Sequence, residues 1–282
     1  LMDSMVNHVA ELDDTSVNMK HASDEAVSIL NELSSSNEKM TDGIHNIADQ
    51  ITRTNDSVKQ IGELIAFCKS IKPEVIIMVD NCYGEFTETK EPTAVGADIC
   101  CGSLIKNAGG GLCEMGGYVV GKEALIERVV QELYCPGLER DNGATLGQNQ
   151  NIIQGLFMAP TVVEAALKAM TFASKLLENL GMDVFPKYTD IRSDIVQIIN
   201  FGDRDKLIKF IQGIQFASPI DSNVVPMPWE MPGYTDKVIM AAGAFTMGSS
   251  IELSCDAPIR APYIAFQQGG LTYEYGKLGV LK

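Results

Sequence analysis

"EVIIMVD", residues 74–80, followed by "GADICCGSLIKNAGGG", residues 96–111, decides how the body of this chain is read. The first is a continuous apolar run ending on an acid, as a strand buried in a parallel sheet would. The second opens with a short strand-like run bounded by glycines, then places a lysine ahead of three consecutive glycines. Ligands in open α/β sheets gather at the carboxyl ends of strands. Asp80 and Lys106 therefore stand where a site would be built. Spacing alone favours two solvated surface charges, because Asp and Lys are mostly exposed.

Working outward, "GELIAFCKSI" (62–71) reads as a helix closed by Pro73, and "GGYVVG" (116–121) as a short strand. "KEALIERVVQELY" (122–134) is an amphipathic helix ended by Pro136 and Gly137. "TVVEAALKAMTFASKLLENLG" (161–181) is a longer one, with Pro160 before it and Gly181 just past its end. "DIVQIINFG" (194–202) is a strand, "DRDKLIKFIQGIQFA" (203–217) a helix started by Asp203, and "KVIMAAGAF" (237–245) and "SSIELS" (249–254) are strands. "PYIAFQQG" (262–269) gives a last strand before a short terminal helix. This alternation predicts an α/β layer followed by a smaller α+β unit.

The 282 residues carry a net charge of −15 with 45% hydrophobic content. Such an acidic chain has no Lys/Arg cluster for phosphates, which argues against a nucleic-acid partner. No run of about 20 unbroken apolar residues offers a membrane span. The seven cysteines are scattered without a C-x-x-C spacing, as suits a reducing cytosol. All three histidines, His8, His21 and His45, lie in the first fifty residues. The body must therefore work without Ser-His-Asp or Cys-His nucleophiles and without His-ligated metal. "GGYVVGK" satisfies G-x-x-x-x-G-K, but Glu123 stands where a phosphate loop needs Ser or Thr, and "YVV" reads as strand.

Residues 1–61 have a different texture. Met2, Met5, Val9, Leu12, Ser16, Met19, Ser23, Ala26, Leu30, Leu33, Asn37, Met40, Ile44, Ile47, Ile51, Thr54, Val58 and Ile61 recur three and four apart. A 3.5-residue period predicts a long supercoiled helix seeking a partner helix. "NIADQITRTNDSVKQI" (46–61) resembles the cytoplasmic coiled coil of methyl-accepting chemotaxis receptors.

From about residue 62 onward the chain resembles the methionine gamma-lyase family, which includes the aluminium resistance proteins and is related to the cystathionine lyases. The resemblance rests on "VDNCYGEF", "EPTAVGADICCGSLIKNAGGG", "PGLERDNGATLG", "QGLFMAPTVVEAALKA", "VPMPWEMPGY" and "AAGAFTMGSSIELSCDAPIRAPYIAFQQGGLTYEYGKLG". It implies a fold-type I, aspartate aminotransferase-like architecture that binds pyridoxal 5'-phosphate and expels a thiol from a sulfur amino acid. On this resemblance Lys106 is the covalent anchor and the proton carrier, and Asp80 partners the pyridine nitrogen. Ser103 meets the phosphate, Asn81, Tyr83 and Asn107 flank the pocket, and Arg260 clamps the substrate carboxylate. Family members carry a long portion ahead of the V-D-N strand. The expected fold is therefore an incomplete large domain over 62–160 and a linker helix with a small domain over 161–282, after a helix over 1–61. A cytoplasmic homo-oligomer is expected. The alternative expectation is a non-catalytic coiled-coil interaction protein with an inactive lyase body.

Overall fold

A computed structural model of the chain describes residues 17–37, 57–133, 137, 139 and 147–282. It divides into two compact units, Leu1–Thr54 and Asn55–Lys282. In the first, helix α1 runs over 17–37 and is exposed along its length, including Met19, Leu30 and Leu33 of the heptad seam. The seam positions up to Ser16, and those from Met40 to Thr54, lie outside the described residues.

The second unit opens with α2 (Ser57–Ile71) and a three-stranded sheet. Strand β1 (Met78–Asp80) pairs in parallel with β2 (Ile99–Ser103), and β3 (Gly117–Gly121) returns antiparallel, in the order β1-β2-β3. The parallel pairing agrees with the sequence, but the burial does not. Ile76 is 49% and Met78 64% exposed. β1 is an edge strand with one neighbour, so its apolar run is covered on fewer sides than an interior strand's would be.

Asp98, just ahead of β2, fastens this layer. It is buried and accepts hydrogen bonds from Ile77 N (2.9 Å) and Lys69 Nζ (2.8 Å), and it pairs with Lys122 beyond β3. The Ile77 amide, then Lys122 and Lys69, hold its carboxyl well below the usual carboxylate range. Helix α3 (Glu123–Leu133) follows β3.

Helix α4 (Asn149–Asn179) corrects one expectation, since it runs unbroken through Pro160, where the sequence pointed to a helix start. Proline removes one backbone bond and favours a break. Packing overrides it here: Gly155, Ala159, Val162 and Val163 are buried on either side of the ring. By length and hydropathy α4 could also cross a bilayer. In this fold its Ala169, Met170 and Ala173 pack with Leu207, Ile211 and Ile239 in the largest core cluster.

The remaining strands form an antiparallel sheet in the order β4-β5-β8-β7-β6. They are β4 (Asp183–Phe185), β5 (Val196–Asn200), β6 (Val238–Ala241), β7 (Ser254–Pro258) and β8 (Ile264–Gln268), with α5 (Arg204–Ala217) and α6 (Tyr273–Leu281). Asp203 caps α5 as its sequence indicated, accepting from Lys206 N at 2.9 Å. "SSIELS" is not a strand. It makes one 3₁₀ turn, Ser250–Glu252, and the strand begins after it. Glu252 turns inward to accept from the backbone N–H groups of Phe245 (2.8 Å) and Thr246 (3.1 Å), and Leu253 takes φ 93°. An extended run cannot hold both features.

Candidate active site

Asp80 ends β1 and Ser103 ends β2, and because these strands run parallel both side chains open toward one end of the sheet. The chain then turns through Leu104 and Ile105 to Lys106 and a 3₁₀ turn, Asn107–Gly109. The glycines after the lysine permit close packing. A Cβ on Gly109 would lie 1.6 Å from Leu104 O, and one on Gly110 2.4 Å from Gly155 O of α4. Gly110 also takes φ 55°. The lysine turn is thus pressed backbone to backbone against the long helix.

Lys106 is half-buried, with Nζ 4.8 Å from the centroid of the Tyr83 ring, within cation–π range. Tyr83 reaches this place from φ 78°, uncommon for a bulky residue. The Cys82 side chain interacts with both Asp80 and Lys106. Asp80 Oδ1 accepts from Cys82 N at 3.0 Å. Cys82, by side chain and backbone, and more weakly Lys106, hold the Asp80 carboxyl below its ordinary value. Burial opposes the Lys106 charge, but Tyr83, Cys82 and Asp80 outweigh it and raise the amine above its ordinary value. Burial and Asp80 push the Cys82 thiol up, so it stays protonated. At rest the group is a carboxylate and an ammonium around a thiol.

The other sequence candidates separate. Ser103 stays close, its Oγ accepting from Ile105 N at 3.3 Å. Asn81 is buried and gives its amide to Glu91 Oε2 at 2.7 Å. Asn107 is fully buried and donates to Glu85 O at 3.2 Å, tying the lysine turn to the loop after β1. Arg260 is not brought to this group. It lies exposed in the β7–β8 turn, paired with Asp236 at 3.4 Å. The opposite end of that hairpin, where Ser254 pairs with Gln268, faces the site.

Two features were missed in the sequence. Glu85, 3% exposed, accepts from Tyr118 Oη at 2.9 Å across Gly102, where a Cβ would meet Glu85 Oε1 at 2.5 Å. Burial, opposed by Tyr118 and helped by Glu91 and Asp80, pushes Glu85 up to about 7. The second is a small cavity beside Tyr83, where Ser249, Ser250, Ser254, Asp256 and Gln268 stand among the apolar Met240, Ala241, Ala242 and Cys255. The alternation of Ser254 and Asp256 with Cys255 and Ala257 was its legible signal, a strand with one polar face.

The profile described as methionine gamma-lyase matches residues 8–282. This chain belongs to the methionine gamma-lyase family. The family match takes in most of the stretch that resembled a receptor coiled coil. Among relatives, the uncharacterized protein YnbB of Bacillus subtilis (strain 168) is 50% identical over 83% of this chain and 56% of its own length. An uncharacterized 33.9 kDa protein in the glnA 5' region of Lactobacillus delbrueckii subsp. bulgaricus is 48% identical over 81% of this chain and 75% of its own. Among solved structures, a carbon-sulfur lyase involved in aluminum resistance from Clostridium novyi NT superposes with a TM-score of 0.74 at 51% identity. That match covers 79% of this chain and 52% of the other. The methionine gamma-lyase family member described here thus spans about half the length of YnbB and of the Clostridium structure.

Proposed function

We propose that this chain carries the lysine-bearing part of a pyridoxal phosphate-dependent carbon–sulfur lyase that acts on a small sulfur-containing amino acid. One observation carries the reading: Lys106 Nζ is held over the Tyr83 ring, coupled through Cys82 to an ionised Asp80 at the ends of two parallel strands. The donor set fits the cofactor. An amine is available for its aldehyde, a carboxylate for its pyridine nitrogen, and the Ser103 hydroxyl for its phosphate. When bound, pyridoxal phosphate supplies a conjugated ring that stabilises negative charge at the substrate α-carbon. Lys106 would hold it covalently, and its Nζ would be the base that takes the α-proton. Asp80 would supply the negative charge for the ring nitrogen. Tyr83 bounds the lysine from below and restricts where that proton can go. A cytoplasmic, homo-oligomeric protein accords with this reading.

The test is release of thiol and 2-oxo acid from S-substituted cysteines and methionine. Release that vanishes in Lys106→Ala is expected, and release undiminished in that variant refutes the assignment. A second reading rests on α1, whose Met19, Leu30 and Leu33 are exposed along one heptad seam. In that reading the chain is an interaction protein that assembles through its N-terminal helix, which sedimentation of Leu30→Lys against the parent would reveal.

A further inference from the structure

Glu85 is a buried acid that the chemistry proposed above leaves unused. It sits in the loop after β1, and that loop grips the lysine turn at two points. The Tyr83 ring lies 4.8 Å from Lys106 Nζ, and Glu85 O accepts from Nδ2 of Asn107, the residue after the lysine, at 3.2 Å. The loop is bent for this grip: Tyr83 and Phe86, on either side of Glu85, take φ 78° and 62°. Glu91 closes it, accepting from Asn81 Nδ2 (2.7 Å) and Phe86 N (3.2 Å). On the sheet side, Tyr118 of β3 donates to Glu85 Oε1 at 2.9 Å through the gap at Gly102. Glu85 Oε2 and Asn107 Oδ1 are buried and have no partner.

We propose that Glu85 is a positioning residue for Lys106, carrying the hold of Tyr118 on its carboxyl through its own backbone to Asn107 and the lysine turn. That Lys106 is the working amine is taken from the lyase reading, on which this inference rests. The strut depends on the charge of the carboxyl. An unpartnered buried oxygen costs less in a neutral acid than in an anion. Burial pushes the Glu85 carboxyl up to about 7, with Glu91 and Asp80 adding to the push and Tyr118 opposing it. Tyr118 on β3, Cys100 on β2, Asp80 at the end of β1 and Glu91 in the loop are the titratable groups that act on it or feel it. Ionisation therefore leaves a buried carboxylate with one side-chain donor, close to two like charges. Relief comes from admitting water, and the parts that yield are the bent loop and its bond to Asn107. Below pH 7 the lysine turn is held, and above it the turn loosens.

Competitive acetylation of the full chain by a trace of acetic anhydride, read by peptide mass spectrometry, gives the reactivity of Lys106 relative to the other lysines with no cofactor present. From about pH 6 to 8.5 lysine amines lie well below their titration range, so their free fractions rise in parallel and cancel in the ratio. The ratio for Lys106 is expected to rise about fivefold through pH 7, the size of a modest coupling between two sites. In Glu85→Gln, which keeps an acceptor for Tyr118 and cannot ionise, it should stay flat at its acid value. In Asn107→Ala, where the strut is cut, it should be high and flat. A carboxyl that merely fills space gives no step near pH 7. The parent alone can refute the idea: a flat ratio does so, and so does a fall, the sign of a field effect on the amine without movement. A rise that survives Glu85→Gln also overturns it. Borohydride labelling of Lys106 by pyridoxal phosphate in the same preparations reports on the lyase reading separately. A step without labelling keeps the strut and removes the lyase. Labelling without a step does the reverse.

Discussion

The two sheets of the second unit are stabilised by different means. The five-stranded antiparallel sheet faces α4, α5 and α6 across a core in which Met170, Leu207, Ile211, Ile239 and Leu253 are fully buried. In the three-stranded sheet Met78 and Val120 are about half exposed or more, as is Ile76 just ahead of it. It is held by polar ties, those of Asp98 and of Glu85 with Tyr118. The catalytic candidates all grow from the less covered sheet, while β7 and β8 of the well-packed one line the small cavity beside Tyr83. Apolar burial fixes the second, and charge and hydrogen bonding fix the first. The two should therefore respond to different perturbations.

The widest separation is expected from truncation. Ile211→Ala should cost about 4 kcal/mol, as large-to-small changes in packed cores do, whereas Ile76→Ala should cost under about 1 kcal/mol. Urea melts of the two variants compare them directly, and equal losses would erase the distinction. Next comes Asp98→Ala, which strands two lysines and an amide and should cost about 3 kcal/mol. Its sign with pH follows from its lowered carboxyl. The contribution is present above the unfolded carboxylate range and is lost as pH falls through and below it. The parent's acid transition should therefore be steeper than the variant's.

Glu85 has the opposite sign. Its folded value of about 7 stands above the ordinary 4.5, so stability from the protonated form is present in acid and is lost as pH rises. Between pH 5 and 7 that loss amounts to about 2 kcal/mol, and Glu85→Gln should remove it. Thermal melts across this window would show the parent falling and the variant flat. The smallest effect belongs to the antiparallel unit. Asp203→Ala removes the α5 cap at a cost of about 1 kcal/mol, read from thermal melts of the variant against the parent.

What was legible in the sequence follows the same division. Apolar runs with turn residues around them located β1, β2, β3 and α2, because local pattern decides them. The Asp203 cap was readable because it is contained within four residues. Pro160 misled because only the packing of α4 outweighs its missing N–H, and packing partners are distant in sequence. "SSIELS" misled because Glu252 is turned inward by two amides in a neighbouring loop. At the site, Lys106, Asp80 and Ser103 were legible as strand ends. Arg260 was named through the family resemblance, and in the structure it lies exposed and paired with Asp236. The Glu85–Tyr118 contact joins residues 33 apart in sequence and depends on Gly102 having no side chain, which spacing cannot reveal.

The central claim is that Lys106 is set apart from the chain's other lysines by its surroundings. Incubation with pyridoxal phosphate, reduction by borohydride and peptide mapping by mass spectrometry tests it most directly. The expected result is a phosphopyridoxyl group concentrated on Lys106, increasing from pH 7 to 9 as more of the raised amine is deprotonated, and absent in Lys106→Ala. Labelling spread evenly over Lys59, Lys122, Lys168 and the other surface lysines would contradict it.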